Sequence, residues 1–191
     1  MKEYLVVGLG NPDVEYQLTR HNAGFLVLAR LARFYQAKFL TRGVYASAVV
    51  TEKERRLYLL KPLTYMNRSG EAVRIFMEKY HFPLDRVIII SDDVALPFGR
   101  IRLKPRGSSG GHNGLASVIA VIGADVPRLR VGIGAPSSQD GMVDYVLGQF
   151  TAEEQKLLPA ITLWAARAVQ AWLDEGIEKA MSKYNGPAPI E

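Results

Sequence analysis

Residues 4–12 read YLVVGLGNP. Tyr4–Gly8 is a short, continuously apolar run, the pattern of a strand buried on both faces. Gly10-Asn11-Pro12 ends it with turn chemistry. Arg86–Ser91 (RVIIIS) repeats the device as an apolar strand stopped by Asp92-Asp93. After the first strand, Phe25, Leu28, Leu31, Ala32 and Tyr35 recur at helical spacing, and Asn22 fits the N-cap of that helix. Tyr45–Val50 and Leu57–Leu60 are β-rich and separated by a charged turn. Asn67 fits the cap of a second helix, with Val73, Phe76, Met77 and Tyr80 on one face. Arg100–Lys104 alternates charged and apolar residues, as a half-exposed strand does. A glycine-rich loop, Gly107–Gly114, leads into an apolar helix over Leu115–Ile122, and Leu129–Ile133 is a further strand. Asp144–Leu147 fits no class. Thr151 and Glu154 form a capping box opening a long helix, in which Pro159 predicts a kink or marks the true start. Strands alternating with helices predict a single-domain, three-layer α/β/α fold with a mixed, largely parallel central sheet. The domain is expected over residues 1–184. Asn185–Glu191, with Gly186, Pro187 and Pro189, is expected to be a flexible tail.

Composition narrows the function classes. Hydrophobic residues make up 48% of the 191 and charged residues 23%, a globular balance that argues against disorder. No apolar stretch approaches the roughly 20 residues of a membrane span. The first residues, Met1-Lys2-Glu3-Tyr4, run straight into the first strand without a secretory pattern. Cysteine is absent, which removes disulfides, Cys–zinc sites and thiol nucleophiles. A cytoplasmic protein with no membrane partner is expected. The net charge of +5 is a mild basic bias that suits an acidic partner such as nucleic acid without deciding for one.

Several motifs fail on counting. Gly8 and Gly10 resemble the start of a dinucleotide fingerprint, but the third glycine would fall at Asp13, and Pro12 intrudes. No Gly-Lys-Ser/Thr of a phosphate-binding loop occurs. Gly107-Ser108-Ser109-Gly110-Gly111 matches the nucleophile elbow G-x-S-x-G. That elbow needs a later histidine and an intervening acid, and the only later histidine is His112, so Ser109 is read as loop. His21, His81 and His112 show no paired metal-ligand spacing. Neither a metal nor a cofactor is expected.

What remains is a set of polar residues at the carboxyl ends of predicted strands, where open α/β sheets bind ligands. Asn11, Asn67, Asp92, His112 and Asn113 follow strands or loops there, and His21 and Asn22 begin the first helix. An imidazole can take a proton from water near neutral pH, and a carboxylate on its other nitrogen fixes the tautomer. Side-chain amides can donate to a developing oxyanion. Such a set can hydrolyse an activated acyl group such as an ester. The same residues also have plainer readings. Asn11 and Asn67 suit a turn and a cap, Asp92-Asp93 suits a turn after a buried strand, and His21 suits a helix start.

At these positions the chain resembles the bacterial peptidyl-tRNA hydrolase family. The matching stretches are Val7–Pro12, Tyr16 with Arg20–Gly24, Lys61–Asn67 with Ser69-Gly70, Ser91–Asp93 with Leu96, Pro97 and Gly99, Gly110–Leu115, and Arg128–Gly134. They keep the family's order and spacing and cover roughly residues 3 to 184. The resemblance implies a monomeric enzyme, acting in translation and ribosome rescue, that cleaves the ester between a peptide and the terminal ribose of tRNA. It implies His21 as general base, Asp92 as its orienting partner, and Asn11, Asn67 and Asn113 positioning the substrate. Tyr16 and Met66 match residues near the terminal nucleotide and peptide. Lys104 and Arg130 match a basic pair that grips the 5′ phosphate of tRNA, and His112 matches a position of less certain role. Two departures stand out: Ala95 sits where relatives usually carry a second acid, and the loop Gly107–Gly111, with Ser108 and Ser109, is poorer in glycine than theirs.

The basic residues fit a tRNA partner independently. Arg100, Arg102 and Lys104 share one face of their strand, as Arg128 and Arg130 do of theirs. Neighbouring strands would form a basic stripe, although charge on a sheet edge also serves simply to block pairing. Two competing classes remain open. One is an RNA-binding relative without hydrolysis, which would have no chemical need for a His–Asp pair. The other is a small esterase, which would have no use for the stripe.

Overall fold

A computed structural model describes residues 1–190. The strands are β1 (Lys2–Gly8), β2 (Leu40–Arg42), β3 (Tyr45–Glu52), β4 (Arg55–Pro62), β5 (Val87–Asp93), β6 (Arg100–Lys104), β7 (Arg128–Gly132) and β8 (Gly186–Pro187). The α-helices are α1 (Ala23–Phe34), α2 (Ser69–Tyr80), α3 (Asn113–Ile122), α4 (Met142–Leu147), α5 (Ala152–Glu175) and α6 (Ile177–Tyr184). The sheet order is β2-β3-β4-β1-β5-β7-β6-β8. Its centre, β4-β1-β5-β7, is parallel, and the pairs toward both edges are antiparallel. This is the mixed three-layer architecture expected from the alternation of periods.

The two central strands are apolar on both faces because both faces are covered. Val6, Ile88 and Ile90 point into a cluster with α1 and α5, and Leu5, Val7 and Ile89 into one with α2 and α3. The segment left unclassified by its sequence, 144–147, belongs to α4.

Four local expectations change. The capping box of Thr151 and Glu154 forms, yet α5 runs from Ala152 through Pro159 to Glu175 without a break. Thr162 Oγ1 donates to Leu158 O (2.8 Å) and Arg30 Nη2 to Pro159 O (2.9 Å). Ile161, Ala165, Val169 and Trp172 carry one buried face past the proline. Tertiary packing therefore overrides the local breaker.

Asn22 does precede α1, but it makes no side-chain cap. Its amide instead pairs with the backbone of Asn11, accepting from Asn11 N (2.8 Å) and donating to Asn11 O (3.0 Å). Asn67 likewise caps nothing. It lies exposed in a 3₁₀ turn, Met66–Arg68, and α2 starts at Ser69 with no side-chain cap.

The tail expected to be loose over 185–191 is tied down as far as it is described. Gly186–Pro187 pairs with β6. The Asn185 amide accepts from Leu103 N (2.6 Å) and donates to Leu103 O (3.1 Å). Ala188 N donates to Gly99 O (2.8 Å). An edge position tolerates Pro187, which has no N–H to give, and the segment covers part of an otherwise open edge. Glu191 lies outside the described residues.

The entry into α1 is packed against strand ends. A Cβ on Gly24 would stand 2.5 Å from Ile90 O and 2.6 Å from Leu9 N and O. Backbone cannot yield as a side-chain tip can, so only glycine lets the helix start this close to β1 and β5. Gly24→Ala should cost about 3 kcal/mol by overpacking and lower the melting temperature by about 10 °C, read by thermal denaturation. A melting temperature equal to that of the wild type would refute this close approach.

Candidate active site

The site forms where the entry to α1, the carboxyl end of β5 and the glycine-rich loop meet. His21 sits in a 3₁₀ turn, Arg20–Asn22, directly ahead of α1. The Asn11–Asn22 pair fixes one side of this turn. Arg20 fixes the other: its guanidinium pairs with Glu154 (3.1 Å), donates to Tyr145 O (3.3 Å) and lies 4.3 Å from the Tyr145 ring centroid.

Asp92 is 2% exposed near the end of β5. His21 Nδ1 lies 2.9 Å from Asp92 Oδ2 and 3.0 Å from Oδ1. His112 Nε2 lies 2.8 Å from Oδ1 of the same carboxylate. The tautomer of His112 follows from its second contact. Leu115 N donates to His112 Nδ1 (3.0 Å), which makes His112 the side-chain N-cap of α3. With Nδ1 accepting, a neutral His112 carries its proton on Nε2 and donates it to Asp92. His21 then donates Nδ1–H to Asp92 and turns the Nε2 lone pair away from the carboxylate.

Burial pushes the Asp92 carboxyl up, but the charge and hydrogen bond of His112 and those of His21 outweigh it and hold the group at about 2. His21, Asp92 and His112 offer ligand atoms within 4.8 Å of one another, close enough for a metal ion. The cap bond at Nδ1 argues otherwise for His112, because ligation through Nε2 would require an imidazolate.

A cavity of about 210 Å³ opens beside this cluster. Its wall includes His21, Asp92, His112, Asn113, Arg130 and, from α4, Val146. Ser109 is also on the wall, but its hydroxyl makes no hydrogen bond to either imidazole among the described residues. Asn11, Tyr16, Met66 and Asn67 do not line this cavity. Two of them, Asn11 and Met66, meet each other instead. Asn11 Oδ1 accepts from Met66 N (2.9 Å). Tyr65 Oη donates to Asp13 Oδ2 (2.7 Å), with Tyr65 at φ 62°, ψ 160°, a region costly for any residue but glycine. Met66 packs against the start of α3 at Gly114, where a Cβ would stand 2.3 Å from its Sδ.

On the far side of the cavity, β6 and β7 are indeed neighbours, with Arg102 opposite Arg130 and Lys104 opposite Arg128. The expected stripe needs one correction. Arg128 is 0% exposed and bonds only backbone carbonyls, so it presents no charge at the surface. Arg130 donates to Ser108 O (2.8 Å) and lies 3.5 Å from Asp93 Oδ2. Asp93 Oδ1 meanwhile accepts from the backbone N of Ala95 (2.8 Å). Lys104 has no carboxylate partner among the described residues. Arg102, slight burial, Arg130 and Arg128 push its ammonium below the usual value, and Asp93 opposes them.

Sequence reasoning missed the work of His112, Asn22 and Arg20. Histidine is not a favoured N-cap, so nothing in the pattern marked His112 as one, and the partners of Asn22 and Arg20 lie far along the chain.

An imidazole–carboxylate pair beside a solvent-reaching cavity at the carboxyl ends of parallel strands is the equipment of a hydrolase. Comparison with known proteins agrees. The family model described as peptidyl-tRNA hydrolase matches residues 5–190. The peptidyl-tRNA hydrolase of Porphyromonas gingivalis is 45% identical over 184 residues, covering 96% of this chain and 100% of that protein. That of Phocaeicola vulgatus is 46% identical over 184 residues, covering 96% and 98%. The crystal structure of peptidyl-tRNA hydrolase from Acinetobacter baumannii superposes with a TM-score of 0.92 at 36% identity, covering 98% of this chain and 96% of that one. The chain belongs to the peptidyl-tRNA hydrolase family.

The depressed value at Asp92 has a consequence for stability. An unfolded aspartate titrates near ~3.9. The ionised carboxylate therefore stabilises the fold by roughly 2 kcal/mol above that pH, and the contribution disappears as pH falls toward 2. Urea unfolding of the wild type and Asp92→Asn should show a stability gap at pH 5 that narrows steadily toward pH 2.5. A gap independent of pH would contradict the assignment.

Proposed function

We propose that this chain hydrolyses the ester joining a peptide's C-terminal carboxyl to the terminal ribose of tRNA, releasing free peptide and recyclable tRNA. The observation that supports this most directly is the 2.9 Å pair between His21 and the buried Asp92 at the cavity wall, in a chain of this family. His21 Nε2 takes a proton from water as the water attacks the ester carbonyl. Asp92 keeps the imidazole in its Nδ1–H tautomer and stabilises the imidazolium, and the proton passes on to the departing ribose oxygen. Water is the nucleophile, and the step needs no metal.

The amides divide the remaining work. Asn67 and Asn113 are exposed and have no intramolecular side-chain partner among the described residues, so their amide N–H groups are free for substrate carbonyls or the developing oxyanion. Asn11 has committed its Oδ1 to Met66 and offers only Nδ2. Met66 is buried and Tyr16 half-buried, and both serve the terminal nucleotide and peptide by packing. Lys104 and Arg130 hold a tRNA phosphate through charge-assisted hydrogen bonds. The partner is the acylated tRNA, and the chain acts as a cytoplasmic monomer. No helix among the described residues is long and apolar enough to cross a membrane.

The decisive assay is hydrolysis of N-acylaminoacyl-tRNA by the purified chain in EDTA. The wild type should turn over at its full rate. His21→Ala should fold normally and lose about a hundredfold to ten-thousandfold in turnover. Wild-type turnover by that variant would remove His21 from the chemistry.

Recognition separates from chemistry at Lys104, which is not on the cavity wall. Lys104→Ala should raise KM for full-length substrate and reduce the log–log salt slope by roughly 0.7 to 0.9. The loss should be far smaller for a peptide ester of a lone adenosine. Arg130 lines the cavity, so its replacement is the less selective probe. Equal losses on both substrates for Lys104→Ala would refute a phosphate grip away from the reacting ester.

A further inference from the structure

Arg128 is the largest fully buried side chain, and it has no carboxylate partner among the described residues. Burying a guanidinium without a counter-charge is costly, and Arg130 beside it raises that cost. Three backbone carbonyls offset it. Nε donates to Val126 O (3.0 Å), Nη1 to Ser108 O (2.8 Å) and Nη2 to Ala124 O (2.9 Å). These acceptors lie on both sides of α3. Ser108 is in the glycine-rich loop that enters the helix, and Ala124 and Val126 are in the segment that leaves it. Gly107 N also donates to Ala124 O (3.2 Å), which closes the same junction. Above it, Arg130 Nη2 donates to Ser108 O (2.8 Å), so two guanidinium groups share one carbonyl.

We propose that Arg128 is a positioning residue for tRNA recognition. Resting on the reading of Arg130 as a phosphate contact, it fixes the Ser108 carbonyl and thereby the Arg130 guanidinium, without touching tRNA itself. The planar fork is what the role needs. A lysine keeps the charge, but its donors radiate from a single nitrogen and cannot span three carbonyls on two segments.

The test is a double-mutant cycle on affinity for uncharged tRNA bearing its 5′ phosphate. Arg130→Ala and Arg128→Lys should each raise Kd about tenfold, the loss of one charge-assisted contact. Arg128→Lys should add nothing in the Arg130→Ala background, because its effect passes through Arg130. Amide hydrogen exchange over residues 107–111 should accelerate in Arg128→Lys and stay unchanged in Arg130→Lys. If Arg128→Lys does not fold, Gly107→Ala serves instead. Gly107 is at φ 149°, so a side chain there strains the loop and shifts the Ser108 carbonyl from outside the core, with the same non-additivity expected. Additive losses, or an unchanged Kd in a folded Arg128→Lys protein, would overturn the positioning role. A failure of Arg130→Ala to weaken binding would instead overturn the phosphate reading beneath it.

Discussion

A carboxylate buried at the end of a parallel strand must find donors, and Asp92 finds two imidazoles. One arrives on the turn ahead of α1, 71 residues earlier in the chain, and the other at the N-cap of α3, 20 residues later. Neither partner could be moved much without leaving a buried charge unsatisfied, which costs more than most single contacts contribute. The close packing of Gly24, the Asn11–Asn22 amide clamp and the Leu115–His112 cap all serve to deliver those rings. The orientation of the His21 ring is thus set by secondary-structure geometry on three separate elements.

The same end of the sheet separates charge. Asp92 is hydrogen-bonded by two imidazoles, and Asp93, next to it, reaches Arg130 at 3.5 Å. The antiparallel pairing of β6 with β7 then gathers Arg102, Lys104, Arg128 and Arg130 at adjacent register positions. Reversing one strand beside an otherwise parallel core places these basic residues next to the His21–Asp92–His112 cluster.

Ala95 and the loop serines become easier to place in this frame. The contact at Ala95 is made by its backbone N–H, which Asp93 accepts, so the missing second acid leaves the His21–Asp92 pair intact. Ser108 contributes its carbonyl, which both Arg128 and Arg130 use. Arg128 thereby restrains the loop at a serine, and Arg130 rests on the same carbonyl.

Periodicity alone determined a good deal of this protein. The doubly apolar runs YLVVG and RVIIIS read as strands buried on both faces, and helical spacing located α1, α2 and α5. Polar residues at strand ends were legible as a site because the ends of parallel strands are where an α/β fold leaves backbone groups and space for a ligand. Tertiary structure decided what depends on distant partners. Asn22 looked like a cap and became a clamp because Asn11 brought it a buried backbone N–H and C=O. Pro159 could have marked the start of the long helix, and the buried face after it instead holds a helix that already runs from Ala152. Arg128 and Arg130 share a strand face by sequence, yet one lies wholly inside and the other at the cavity wall, because the loop and the α3 exit close over only the first. The segment from Asn185 looked loose because its prolines forbid a helix, but an edge strand asks for nothing they lack. Each case has the same physical reason: local sequence sets which conformations are cheap, and only the chain's long-range contacts decide which polar groups and faces are left to satisfy.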